Sequence, residues 1–156
     1  MKRNFSGRNS ARENFPEDFS RGEPKKTSFA KILIIGYPKT GKTTLSAKIA
    51  AENPGCALVH TDSYISLPYR EQLYALMDDL RGMKTWVVEG IQGYRLLRKI
   101  AERRDEDLRP SRIIICQRAD LPEKYLKQAK GLRKVWEDYV RLENKVPPME
   151  VRGWRS

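Results

Sequence analysis

The sequence predicts one α/β domain built on a parallel β-sheet with helices on both faces. Three observations predict it. Short apolar runs alternate with longer stretches of helical period along residues 31–144. The apolar runs carry no polar alternation, as strands buried on both faces require. A length of 156 residues suits a single domain with a sizeable core.

The first 28 residues stand apart. They are rich in Arg, Asn, Ser, Glu and Gly, and Phe5, Phe15 and Phe19 follow neither a helix nor a strand period. Residues 1–28 therefore read as a disordered basic arm, and 29–156 as the folded domain. The arm is either a solvated tail or a segment that folds on nucleic acid or a partner. Residues 31–35 are a β-branched apolar run and read as a buried strand. Lys42–Glu52 reads as a helix with Leu45 and Ile49 on one face, ended by Asn53-Pro54-Gly55. Residues 56–60 form a second strand. Residues 69–80 read as a helix, with Leu73, Leu76, Met77 and Leu80 spaced by three and four. A third strand covers 85–88, a charged helix 94–106, and a fourth strand 112–116. A long helix spans 120–144, opened by a capping-box-like Asp120 and Glu123 and open to interruption near Gly131. Pro147-Pro148 stops it. The remaining tail is irregular, with 149–151 as a short edge-strand candidate.

Between the first strand and first helix lies Gly36-Tyr37-Pro38-Lys39-Thr40-Gly41-Lys42-Thr43, followed by Thr44. This is G-x-x-x-x-G-K-[ST] in the strand–loop–helix context that gives the pattern its meaning. A triphosphate needs several N–H donors converging on it, and a loop at the positive end of a helix supplies them. Gly36 and Gly41 allow the close backbone approach. Lys42 reaches the phosphate oxygens as a point charge, and the Thr43 hydroxyl suits magnesium. The predicted ligands are ATP or GTP with Mg2+, bound by Gly36, Lys39, Thr40, Gly41, Lys42, Thr43 and Thr44; Lys39 has a solvated surface lysine as its alternative reading.

In such sheets ligands bind beyond the carboxyl ends of the strands. The second strand leads into Thr61-Asp62-Ser63-Tyr64 and the third into Glu89-Gly90. Asp62 suits a group that accepts or orients a hydroxyl proton, and Glu89 suits a magnesium ligand acting through water beside Thr43. The competing reading of each is a turn or cap residue. Tyr64 reads equally as a stacking platform and as an exposed turn tyrosine. Phosphoryl transfer also needs cations over the developing charge. Arg118 follows the fourth strand and Arg133 lies further on, so residues 118–134 read as a lid carrying both, or as a solvated helix face.

Charge and cysteine usage narrow the classes. A net charge of +11 attracts phosphates, nucleic acid or anionic lipid, and it is spread along the chain rather than blocked. Cys56 and Cys116 sit in separate apolar runs and read as core thiols. His60, the single histidine, has no familiar zinc spacing with them. The longest strongly apolar run, 32–35, is far too short for a membrane span. No apolar segment follows the basic N-terminus, and acidic residues interrupt it, so neither a signal nor a transit peptide is expected. The expected setting is cytoplasmic.

With GYPKTGKTT at 36–44, TDSY at 61–64 and WVVEG at 86–90, residues 31–140 resemble the P-loop kinases of the nucleoside and nucleotide group. The aspartate after strand two, followed by a hydroxyl residue and an aromatic, is similar to the uridine kinases. It also resembles the 5′-hydroxyl polynucleotide kinases and the zeta-toxin kinases. The resemblance implies a P-loop three-layer sandwich of strand order 2-3-1-4, with Asp62 as catalytic base and an arginine-bearing lid. Such a family usually has a fifth strand and a final helix. This chain shows neither clearly, so its C-terminal part reads as truncated. The implied function is an ATP-dependent kinase moving the γ-phosphoryl group to a small hydroxyl acceptor or a nucleic-acid 5′ end. The alternative is a P-loop ATPase or switch acting on nucleic acid or a partner protein.

Overall fold

The structure, a computed structural model, describes residues 30–118 and 120–153. The expected disordered arm at 1–28 lies outside the described residues. Five strands form one sheet, every neighbouring pair parallel: β1 (Lys31–Gly36), β2 (Ala57–His60), β3 (Trp86–Glu89), β4 (Arg112–Gln117) and β5 (Met149–Gly153), in the order β2-β3-β1-β4-β5. Four α-helices connect them: α1 (Lys42–Glu52), α2 (Tyr69–Arg81), α3 (Gly93–Arg103) and α4 (Leu126–Leu142).

The two faces of the sheet are covered unequally. Leu33, Ile35, Val59, Trp86, Val88 and Ile113 point to the side packed by α2, α3 and α4. Leu73, Leu76, Met77 and Leu80 bring the α2 stripe onto it, each about 1.5–3 kcal/mol of apolar burial. Ile32, Ile34, Val87, Ile114 and Cys116 point the other way, where α1 supplies Ile49 and Leu45. This period-two parity also decides which strand ends meet the loop before α1.

Three expectations are corrected. The C-terminal part is not truncated at the fourth strand: β5 pairs with β4 from Ile113↔Met149 to Gln117↔Gly153. Its residues alternate in exposure, with Met149 and Val151 exposed on one face and Glu150 and Arg152 half-buried on the other. Glu150 shares a face with Ile114 and Cys116, and there Arg112 and Arg152 both bind its carboxylate. A charged ladder, not an apolar surface, therefore closes the face beyond α1. The long helix begins at Leu126, after a 3₁₀ turn at Glu123–Tyr125, and runs through Gly131 unbroken. Asp120 does not cap it; its carboxylate accepts from Arg118 Nε at 2.8 Å. Finally, α3 stops at Arg103, because Arg104 turns left-handed at φ 52°.

Cys56, just before β2, and Cys116, in β4, are both free, and β3 and β1 lie between those two strands. No helix among the described residues is long and apolar enough to cross a membrane.

Candidate functional site

The site assembles at the carboxyl ends of the central strands, around the loop from Gly36 to Thr43. Two features shape the loop. Lys39 and Gly41 take left-handed backbone, φ 63° and 83°, which folds the chain back over the start of α1. Gly36 lies against β4: a Cβ there would stand 2.6 Å from the Cys116 carbonyl oxygen and 2.7 Å from Thr40 Oγ1. Only glycine lets the loop leave β1 this close to its neighbour. Thr40 is buried and donates to the Tyr37 carbonyl at 2.8 Å, bracing the turn from inside. Gly41 is the N-cap of α1 and carries no side chain to occupy the helix end, and the first turn holds no acidic residue. The leading N–H groups of α1 are thus left for an external acceptor.

Lys42 is buried at 8% exposure, and its Nζ donates to the Tyr37 carbonyl at 2.7 Å and to Thr40 Oγ1 at 3.5 Å. Burial pushes its pKa down, while the charges of Glu89, Cys116 and Asp62 pull it up. A buried ammonium held only by neutral oxygens is poised to gain from an arriving anion.

Strand parity brings Glu89 to the same place. It lies on the α1 face of β3 with Val87, is 5% exposed, and its Oε1 accepts a long 3.5 Å contact from Thr43 Oγ1. The same Oε1 lies 2.8 Å from His60 Nδ1, the residue directly beside it in the parallel register. Sequence reading tested His60 only as a zinc ligand and missed this role. The signal was present: His60 and Glu89 each end a neighbouring strand, so parallel pairing sets them side by side. Magnesium fits this donor set, a hydroxyl and a carboxylate that offer hard oxygens and leave the remaining positions to phosphate and water. Among the described residues no group of three or more His, Cys, Asp and Glu forms a site that protein alone would complete.

Asp62 sits in the 3₁₀ turn Thr61–Tyr64 after β2, with its carboxylate exposed. The turn is pinned to β3 from below. Thr61 is buried, and its Oγ1 fills the space over Gly90, where a Cβ would come within 1.9 Å. Tyr64 does not offer a free ring edge; its hydroxyl donates to Asp79 Oδ2 at 2.5 Å, and burial with this carboxylate pushes its pKa up to about 12.

The two predicted arginines part company. Arg118 reaches the loop itself: Nη1 donates to the Lys39 carbonyl at 3.1 Å. Arg133 lies on α4 and lines a cleft with Tyr37, Leu121, Leu126, Ala129 and Lys130. Lys39 and Thr44 are exposed at the rim. The structure therefore brings together Gly36, Thr40, Gly41, Lys42, Thr43, Glu89 and Arg118 around one loop, with Asp62 on the adjoining turn. A scan against models of protein families gives no match, and a search of curated proteins gives none.

Proposed function

We propose that the protein is a P-loop phosphotransferase that moves the γ-phosphoryl group of ATP or GTP to a hydroxyl acceptor, with Mg2+. One observation carries the reading: the Gly36–Thr43 loop leads into an uncapped α1 with a buried Lys42, and Glu89 meets Thr43 from the next strand. An arrangement of this kind is suited to a polyphosphate and little else.

The roles follow from placement. The first-turn N–H groups and Lys42 bind the β- and γ-phosphates, and Lys42 exchanges its loop carbonyl for phosphate oxygen. Thr43 and Glu89 hold magnesium, which when bound neutralises charge on the phosphates. His60 fixes the Glu89 carboxylate from the side. Arg118, tied to the Lys39 carbonyl, adds positive charge at the outer edge of the loop. Asp62 accepts or orients the proton of the acceptor hydroxyl. The sheet order with β1 central and the loop at its carboxyl end supports a P-loop sandwich of the 2-3-1-4 type extended by β5.

Incubation with magnesium and γ-labelled ATP, in the presence of a nucleoside or a 5′-hydroxyl oligonucleotide, tests the reading. Label on either acceptor is expected. Release of free phosphate alone, raised by the oligonucleotide, would instead favour an ATPase or switch acting on nucleic acid.

A further inference from the structure

β5 ends the sheet, and among the described residues no strand pairs with its outer side. Ile113 N donates to the Pro148 carbonyl at 2.9 Å, and Ile113 stands beside Met149 in the register. Parallel pairing of this kind turns the N–H and C=O groups of Glu150 and Arg152 towards β4 and those of Met149, Val151 and Gly153 outward. The outward row is a template for another strand. Met149 and Val151 share a face with Ile113, which is buried under the helices, yet they stay 48% and 55% exposed. Glu150 and Arg152 lie on the other face, where Glu150 accepts from both Arg112 and Arg152. An open edge is ordinarily blunted by lysine, by proline or by a covering segment. β5 carries neither lysine nor proline, and its two charges are of opposite sign.

Opposite charges two residues apart make this edge complementary to itself. When two copies pair antiparallel about Val151, Val151 meets its own counterpart, Met149 meets the partner's Gly153, and Glu150 meets the partner's Arg152, the last two contacts occurring twice by symmetry. Backbone parity agrees. Met149, Val151 and Gly153 hold the outward groups that exchange hydrogen bonds, and Glu150 and Arg152 fall at the non-hydrogen-bonded positions, where side chains approach most closely. The neighbouring registers that keep these backbone groups aligned set Glu150 on Glu150 or Arg152 on Arg152, so charge selects the one centred on Val151. Pro147 and Pro148, just before β5, stop the pairing from running further. We propose that β5 is a dimerisation edge, through which two copies of this chain join antiparallel about Val151 into one sheet of ten strands, five from each copy.

Sedimentation equilibrium of the full chain over a concentration series tests the proposal. The weight-average mass should rise from the 18.1 kDa of one chain towards twice that value. Val151→Lys sets like charges at the centre of the joint. Because Val151 is exposed in the single chain, this variant should melt as the wild type does and associate about tenfold more weakly or worse. Glu150→Arg and Arg152→Glu should each weaken association as much, since each sets like charges across the joint twice. Mixed in equal amounts, these two variants should associate again, because every pair across a mixed joint is once more Glu against Arg. A mass of one chain at the highest soluble concentration overturns the proposal. Hydrogen exchange at Met149, Val151 and Gly153 then says what becomes of the edge: slow exchange assigns it to another segment of the same chain, and fast exchange leaves it open to a different protein. A dimer that persists in Val151→Lys overturns the proposal too, as does a mixture that stays monomeric although both of its variants melt as the wild type does.

Discussion

In the proposed reading, Lys42 is the residue on which nucleotide binding turns. It is buried without a carboxylate in direct contact, so its charge is balanced only from a distance by Glu89 and Asp62. Lys42→Ala is expected to weaken nucleotide binding by about 1.5–3 kcal/mol, tenfold or more, without unfolding the chain, since the lost bonds are to neutral loop oxygens. Equilibrium titration with a fluorescent nucleotide, alongside a thermal melt, checks both halves. Gly36→Ala should act differently. The new methyl meets backbone at Cys116, which cannot swing away, so both loop geometry and thermal stability should suffer. These residue-level features were unevenly legible. The turn from Gly36 to Thr43 could be read directly because its pattern encodes backbone geometry. His60 was hidden because its partner is 29 positions away and only strand register joins them. Arg133, named for the phosphates, lies on α4 and lines the cleft that Tyr37 also lines.

At the scale of elements, local pattern predicted well where one period dominated. The stripe of α2 and the apolar centres of β1 and β4 were plain from spacing. The failures came where two signals competed. Asp120 and Glu123 imitate a capping box, but Pro122 between them holds the chain in a 3₁₀ start, and α4 begins three residues after Glu123. The edge-strand candidate at 149–151, by contrast, does form a strand, β5, whose apolar residues lie exposed while Glu150 pairs with Arg112 and Arg152. The seam between α3 and α4 carries a pH-sensitive tie. Asp138 accepts from Lys134, Arg141 and Arg98, and these contacts hold its carboxyl down at about 2 against an ordinary 3.8. A depressed folded pKa stabilises above the unfolded value and fails as the pH drops through the folded one. The contribution should therefore be intact above about pH 4 and disappear towards pH 2. Acid melts of wild type and Asp138→Asn should differ above about pH 4 and converge as the pH falls towards 2.

For the whole molecule, the parallel sheet explains why the candidate groups meet at all. Every strand delivers its carboxyl end to one edge, and parity sends Glu89 and His60 towards α1 while Trp86 and Val88 enter the core of the other face. The α/β class and the loop pattern could thus be read from sequence, and the resemblance already implied β2 beside β3, whereas the register that sets His60 against Glu89 had to come from the structure. The net charge of +11 adds a long-range field. If the acceptor is a nucleic-acid strand, the KM for that acceptor should rise steeply with salt while the KM for a neutral nucleoside stays nearly flat. Steady-state kinetics across a salt series reads this directly. The central claim is transfer to a hydroxyl activated by Asp62, and it is tested most directly by Asp62→Asn. Label transferred from γ-labelled ATP to acceptor and nucleotide affinity should be measured on the same preparations. A fall in transfer of about 10²- to 10⁴-fold with unchanged nucleotide affinity is the expected result. Transfer at the wild-type rate would remove Asp62 from the chemistry and contradict the claim.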